Sequence, residues 1–314
     1  MSSSLRVLFE KYGIYIFLGL LLLVASVVSP AFLRLQNLRD ILNQVAPLAM
    51  VGIGQTFVIL SGNEGIDLSV ASVMATAAVI VSVVTGGQNA LFLPALFVCL
   101  CFGLVVGLAN GLLITKQKCP PVLTTLSMMI IIDGLRLLCT GGAPKGDFPG
   151  VMRFLGTSNI GPFPASIITL AALTAAAGVL LRKTVLGRKI YATGGNINTA
   201  KLSGYKTDRI LTLVYAISGF MAAVGGIFLG GWIGVVDNWV GKGYEIDSIA
   251  VVVMGGTSFE GGRGGVFGTI AGVFIIMILY NLVLLLHLPI FSQYIVKGAV
   301  IVFAAYFYVR KVIR

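Results

Sequence analysis

The chain reads as an all-α polytopic membrane protein, on three observations. Charged residues make up only 11% of its 314 positions and apolar ones 57%, against about 25% charged in a soluble globular domain. Its mean hydropathy is +1.00. Several uncharged runs approach or exceed the roughly 18 residues that read as a membrane-crossing helix. A transmembrane barrel would instead show alternating segments of about 10 residues, and none is present.

Ten crossings can be laid out in order, at residues 13–29, 45–61, 69–85, 91–115, 121–140, 164–181, 210–230, 246–256, 266–285 and 295–309. The first imitates a secretory signal, with Arg6 and Lys11 ahead of GIYIFLGLLLLVASVV. It reads as a retained span, because more membrane-embedded sequence follows it. The eighth is too short to cross about 30 Å at about 1.5 Å per residue, so a short or broken element is expected near 246–256. Small residues recur four apart in three spans: Gly103, Gly107 and Gly111, then Gly226 and Gly230, then Gly268 and Gly272. Such faces let helix backbones approach closely where lipid provides no hydrophobic drive between helices. No soluble domain boundary is visible, and residues 1–314 read as a single transmembrane domain.

The net charge of +11 reads as the cytoplasmic excess of Lys and Arg, not as a nucleic-acid surface. With both termini inside, the inner segments hold fifteen of the 22 basic residues, the outer segments five, and two (Arg136 and Lys297) fall within spans. This places the segment 182–209 in the cytoplasm and 141–163 and 231–245 outside. The cysteines, Cys99, Cys101, Cys119 and Cys139, show no metal-ligand spacing and read as small packing residues. The single histidine, His287, stands alone in a short outer turn. No catalytic set emerges, and no metal site is expected. The chain also lacks G-x-x-x-x-G-K-[ST], so any ATP and Mg would be bound by a partner.

The segment 182–209 holds seven of the basic residues. Within it, Gly194-Gly195 is expected to break the chain and Asn196 to cap a short helix from Ile197 to Ser203, with Gly204 at its end. Two turns of isolated helix are unstable in water. The helix therefore needs a surface to pack against, either anionic headgroups or a partner protein. Its face would offer Ile197, Ala200 and Lys201, with Leu202 and Tyr205 alongside.

Polar groups inside the membrane cost about 2.5–3.5 kcal/mol each on insertion scales, so they are expected to face the bundle interior or a wet cavity. Asp133 and Arg136 lie three apart on one helix face, spaced either for a structural ion pair or for lining a cavity. Lys297 is read as snorkelling outward. In GNEGIDLSVAS (62–72), Asp67 either caps the helix starting near Ser69 or belongs to an unwound segment near a passage. MGGTSFEGGRGG (254–265) reads as a tight turn with close backbone packing, in which Glu260 and Arg263 are spaced either to pair or to touch a partner protein.

GRKIYATGGNINTAKLSGYKTDRI (187–210), GIDLSV (65–70), PPVLTTLSMMIIIDGLRLLCTGG (120–142) and YEIDSIAVVVMGGTSFEGGRGGVFGTIAG (244–272) occur in an order that resembles one family. This is the permease subunit of bacterial ABC importers for ribose, galactose, autoinducer-2 and related simple sugars, related to the branched-chain amino acid permeases. The resemblance implies a multi-pass inner-membrane permease, not an enzyme, that moves a monosaccharide-like solute inward by alternating access. It implies separate ATPase subunits gripping a coupling helix at Gly195, Asn196, Ile197, Ala200, Lys201, Leu202 and Gly204. It also implies a periplasmic or lipid-anchored sugar-binding protein and a second permease chain, identical or a paralogue. Asn63, Asp67, Ser69, Thr124, Thr125, Asp133 and Ser248 are the candidate path residues. The family commonly reads G-G-I-D-L-S-V-G-S, and Asn63-Glu64 and Ala71 depart from it. Branched-chain amino acid and nucleoside permeases are the rivals within the architecture. An ion-coupled secondary transporter is the rival outside it.

Overall fold

The computed structural model describes residues 3–299 and 302. It is a helical bundle. Its helices are α1 (Ser3–Val28), α2 (Leu35–Leu60), α3 (Val70–Thr85), α4 (Phe92–Lys116), α5 (Pro121–Thr140), α6 (Gly150–Thr157), α7 (Ala165–Lys183), α8 (Val185–Gly195), α9 (Ile197–Leu202), α10 (Thr207–Ile233), α11 (Tyr244–Met254) and α12 (Val266–Leu285), then α13 over 292–299. Between α6 and α7, β1 (Asn159–Ile160) and β2 (Phe163–Pro164) form a short antiparallel pair.

Among the described residues six helices are long and apolar enough to cross a membrane: α2, α5, α7, α10, α12 and α4 with its preceding turn. Two shorter apolar helices accompany them, at Tyr12–Val28 and Val70–Thr85. The expected tenth crossing is seen only as helix over 292–299, and residues 300, 301 and 303–309 of it lie outside the described residues. The second crossing is longer than expected. The polar stretch LQNLRDILNQ stays helical ahead of the apolar run, held by contacts such as Gln36 Nε2 to Asp40 Oδ1 at 3.0 Å. Pro47 is accommodated inside that helix.

α2 and α10 form the centre and pack on each other. α2 is buried from Val45 to Leu60, and much of α10 is buried too. α3 and α4 close around α10, and α11 and α12 around α2. All three expected glycine faces find a partner helix. A Cβ on Gly103 or Gly107 would run into the backbone of Gly219 or Tyr215 in α10. One on Gly226 would meet Met74 of α3, one on Gly272 would meet Val251 of α11, and one on Gly268 would meet Gly255 just past the end of α11. These backbones touch because no side chain intervenes.

Two segments enter the bundle without helical structure, from opposite ends. At the end that carries α9, the chain leaves α2 at Leu60, and Asp67 reaches Ser218 of α10. Ser218 lies eleven residues into α10, about 16 Å from its start at about 1.5 Å per residue. At the end that carries α6, the chain leaves α10 at Ile233, turns at Gly234 (φ 72°) and descends again. Gly241 comes to rest on Met74, beside Gly226 and thus about 10 Å below the end of α10. Residues 231–245 were expected as an external loop; they are instead largely a re-entrant segment. This also explains the short eighth element. α11 is an unbroken helix of 11 residues, and the non-helical backbone above it fills the rest of the depth.

The expected connection at 141–163 is partly helical. α6 lies across the end of α10, with Met152 buried and Gly156 too close to Gly231 and Trp232 for any Cβ.

Candidate functional site

Three glycine-bearing strands of chain meet at the α9 end. Gly62 and Gly261 face the backbone of Gly194, and Gly262 donates its N–H to the Leu60 carbonyl at 2.9 Å. Gly62, Gly261 and Gly262 all take positive φ. A Cβ on Gly194 would strike the Leu60 carbonyl. The expected tight turn at 254–265 is present and closes with Ser258 N–H donating to Arg263 O at 2.9 Å. Among the described residues no ion pair joins Glu260 to Arg263.

α9 extends from this junction. Asn196 is extended (φ −162°, ψ 109°), and its side-chain oxygen accepts from Asn198 N at 3.0 Å and Thr199 N at 2.9 Å. That is the expected cap. Gly204 takes φ +81°, and its N–H donates to Lys201 O at 2.9 Å, ending the helix. Two expectations need correction. Gly194 and Gly195 do not break the chain; they form the last turn of α8, which Thr184 caps at the other end. Gly194 is there for close approach, and the break falls at Asn196. The outward face also differs. Ala200 is buried against its own chain, whereas Leu202 is 91% exposed and Lys201 is exposed. Ile197 is half-buried.

The candidate path residues divide into four groups. Asn63 is exposed with φ 58°, in the turn beside Gly62 at the α9 end. Asp67 and Ser69 are buried in a polar knot. Ser218 Oγ donates to Asp67 Oδ2 at 2.7 Å, and Ser69 N and Oγ donate to Oδ1 at 3.0 and 2.6 Å. Asn110 Nδ2 donates to Ser69 Oγ at 2.9 Å. The Gln55 amide, oriented to satisfy both groups, pairs with the Asp67 backbone at 3.2 and 3.1 Å. Asp67 accepts from Ser69 and from no residue of the first helical turn, so it ties α2, α4 and α10 around the non-helical segment. Thr124, Thr125 and Ser248 are buried and bonded to backbone carbonyls, at Pro120, Ile66 and Glu245 respectively.

Asp133 alone of that set lines a cleft. Its Oδ1 pairs with Arg136 Nη2 at 2.8 Å and accepts from Ser72 Oγ at 2.6 Å. Arg136 also donates from Nη1 to the Ser72 carbonyl and Thr76 Oγ1, both at 3.3 Å. The ion pair and the cavity-lining role hold together. Asp133 and Arg136 border a cleft of about 100 Å³ between α3, α5 and the re-entrant segment. Asn238, Trp239, Lys242 and Glu245 complete it. Sequence reasoning missed these four because DNWVGKGYE reads as an external loop; its density of polar residues between two apolar runs was the available signal.

Lys297 does not snorkel outward. Its Nζ lies 2.8 Å from Asp247 Oδ1, which also accepts from Tyr280 Oη at 3.1 Å. The pair joins α13 to the start of α11. Among the described residues no cluster of His, Cys, Asp or Glu is arranged to hold a metal ion.

Residues 37–305 match the family described as the permease component of the branched-chain amino acid transport system. The chain belongs to this permease family. It is 38% identical over 301 residues to the ribose import permease protein RbsC of Bacillus subtilis, an alignment covering 94% of this chain and 91% of the relative. It is 37% identical to the galactose/methyl galactoside import permease protein MglC of Escherichia coli, over 96% and 95% of the two chains. The RbsC of Haemophilus influenzae is 35% identical over 95% and 93%. No solved structure matches. This permease is accordingly a multi-pass membrane protein and not itself an enzyme.

Proposed function

We propose that this permease is the membrane-spanning subunit of a bacterial ATP-binding-cassette importer for a monosaccharide. The observation that carries the reading is its end-to-end similarity to relatives named as ribose and galactose import permeases. Ten crossings with both termini in the cytoplasm put α9 inside the cell, as the bias of basic residues requires. There α9 is the handle that an ATPase subunit grips, with Leu202 and Lys201 as the contacting side chains and Asn196 and Gly204 holding its ends. Motion of α9 passes through Gly194 and Gly195 to the turns beside Gly62 and Gly262, and so to both halves of the bundle. A second permease chain, a periplasmic or lipid-anchored binding protein on the α6 side, and ATP with Mg on the partner ATPases complete the machine.

Uptake by proteoliposomes containing the permease, its ATPase and its binding protein tests this reading with ribose, galactose, leucine and adenosine. ATP-dependent accumulation of a sugar is the expected result. ATP-dependent accumulation of leucine alone overturns the sugar assignment, and uptake driven by an ion gradient without ATP overturns the importer. A Leu202→Asp change is expected to leave the permease folded in the membrane while abolishing copurification of the ATPase. Retained ATPase and unchanged transport in that variant would remove α9 as the handle.

A further inference from the structure

The two non-helical segments that enter the bundle are held very differently. The one at the α9 end is bonded to four helices: to α2 through Gln55, to α10 through Ser218, to α4 through Asn110, and to α5 through Thr125 Oγ1 on the Ile66 carbonyl at 3.1 Å. The one at the α6 end has no such web. Among the described residues, the hydrogen bonds that join 235–242 to anything but its own flanking helices both come from Asn238. Its Nδ2 donates to Thr140 Oγ1 at 3.1 Å and to Gly142 O at 3.0 Å. The segment's other bonds are local, such as Trp239 N–H to Asp237 Oδ1 at 3.2 Å and Lys242 N–H to Trp239 O at 3.1 Å. Val240 is buried, whereas Val235, Asp237, Trp239 and Lys242 are exposed. Sparse bonding and little buried apolar surface mark a segment that opens before its surroundings do.

Its ends are built to turn. Gly234 and Gly243 bound the segment at φ 72° and 97°, and glycines can absorb large backbone rotations there without a steric penalty. Between them Gly241 rests on a side chain, with its Cβ position 3.2 Å from Met74 Cβ and 3.4 Å from Sδ. A thioether chain yields to such a contact. Gly62 at the other end of the molecule meets the rigid backbone of Gly194 instead. What the segment covers is polar: Asn238, Trp239 and Lys242 share a cleft with Asp133 and Arg136. Asp133 precedes Thr140 by seven residues of α5 and so lies about 10 Å deeper, at about 1.5 Å per residue. The segment therefore stands between Asp133 and the α6 end.

We infer that residues 234–243 are the outer gate of the passage, a strap that swings on Gly234 and Gly243 and is latched shut by Asn238 against the end of α5. The inference rests on the importer reading above and gives its alternating access one named moving part. The latch is uncharged, and both of its bonds exchange for bonds to water when the strap lifts, so its net hold is small. Asp133 and Arg136 pair with each other beneath it and add nothing to that hold. Releasing one amide thus uncovers the cleft while the segment at the α9 end, fastened to four helices, keeps its place.

The test uses the full-length permease with Cys101, Cys119 and Cys139 changed to alanine and the buried Cys99 kept as a control for folding. Val240→Cys is added, and its reaction with a membrane-impermeant maleimide is followed in lipid nanodiscs. Asn238→Leu keeps the size of the side chain and removes its donor, and it should speed labelling at position 240 at least tenfold while Cys99 stays unlabelled. Equal rates with and without Asn238 overturn the latch. Should Cys99 become labelled, the variant has unfolded, and a second arm decides. There Thr140→Cys and Asn238→Cys are oxidised to a disulfide in proteoliposomes carrying the ATPase and the binding protein. The expected result is loss of ATP-driven uptake, recovery on reduction, and unchanged copurification of the ATPase. Full uptake with the disulfide intact overturns the gate. Labelling at position 240 involves no transport, so ATP-driven uptake of leucine alone refutes the sugar assignment while the gate stands or falls by its own arm.

Discussion

Gly107 and Gly134 both sit inside apolar helices and differ in what surrounds them. A Cβ at Gly107 would collide with the Tyr215 carbonyl across the α4–α10 contact, whereas nothing lies within 4 Å of a Cβ at Gly134. Gly107→Ala is therefore expected to separate the two helices, at about 1–3 kcal/mol for overpacking, and to lower the melting temperature by several degrees. Gly134→Ala should be neutral or stabilising, since alanine favours the helix by up to about 1 kcal/mol. Equal melting curves for the two variants would contradict this account of the glycine face. The spacing of Gly103, Gly107 and Gly111 was legible in the sequence because it follows from helix periodicity alone. Which residue of α9 faces outward was not. Ala200 and Leu202 are two positions apart on six residues of helix, and only the packing of Ala200 on its own chain decides between them.

Among the elements, α9 was readable almost to the residue, because Asn196 and Gly204 are local signals whose geometry depends on nothing distant. α6 was not. GVMRFLGT is too short to show a periodicity, and its helix forms over the end of α10, where Met152 and Phe148 are buried against Gly230 and Gly231. Asp147 fastens the approach to it. Its carboxylate accepts from Phe148 N–H at 2.8 Å and pairs with Arg153. The Phe148 N–H first, and Arg153 after it, hold its pKa below the usual carboxylate range. A lowered folded-state pKa means the contribution is present above the unfolded value and is lost as pH falls through the folded one. Acidification below the ordinary carboxylate range should thus speed amide exchange over 147–157, and Asp147→Asn should show the faster exchange already at neutral pH. Exchange in that variant no faster than in the parent at neutral pH would show that Asp147 does not hold the loop.

Seen whole, the molecule repeats one device from each end: a central helix, a non-helical dip, then a short helix, in α2–α3 and again in α10–α11. Hydropathy places the apolar runs but is blind to re-entry, because a polar stretch that returns inward reads like one that stays outside. Hence 231–245 reads as an external loop from the sequence, and Lys297 as a side chain that snorkels outward. The Asp247–Lys297 pair is the test of this larger arrangement. Lys297→Met and Asp247→Asn should each destabilise the protein, by about 3–5 kcal/mol where the remaining charge stays buried and unpaired. The double variant should recover much of that loss, and additive losses would mean that the two groups do not interact. The pairing also has a consequence for biosynthesis. A ribosome releases α11 well before it reaches residue 297, so during that interval the nascent chain carries an uncompensated acid on a helix too short to anchor itself. The segment from α11 to residue 297 therefore reaches its settled arrangement only once both partners of the pair have been made.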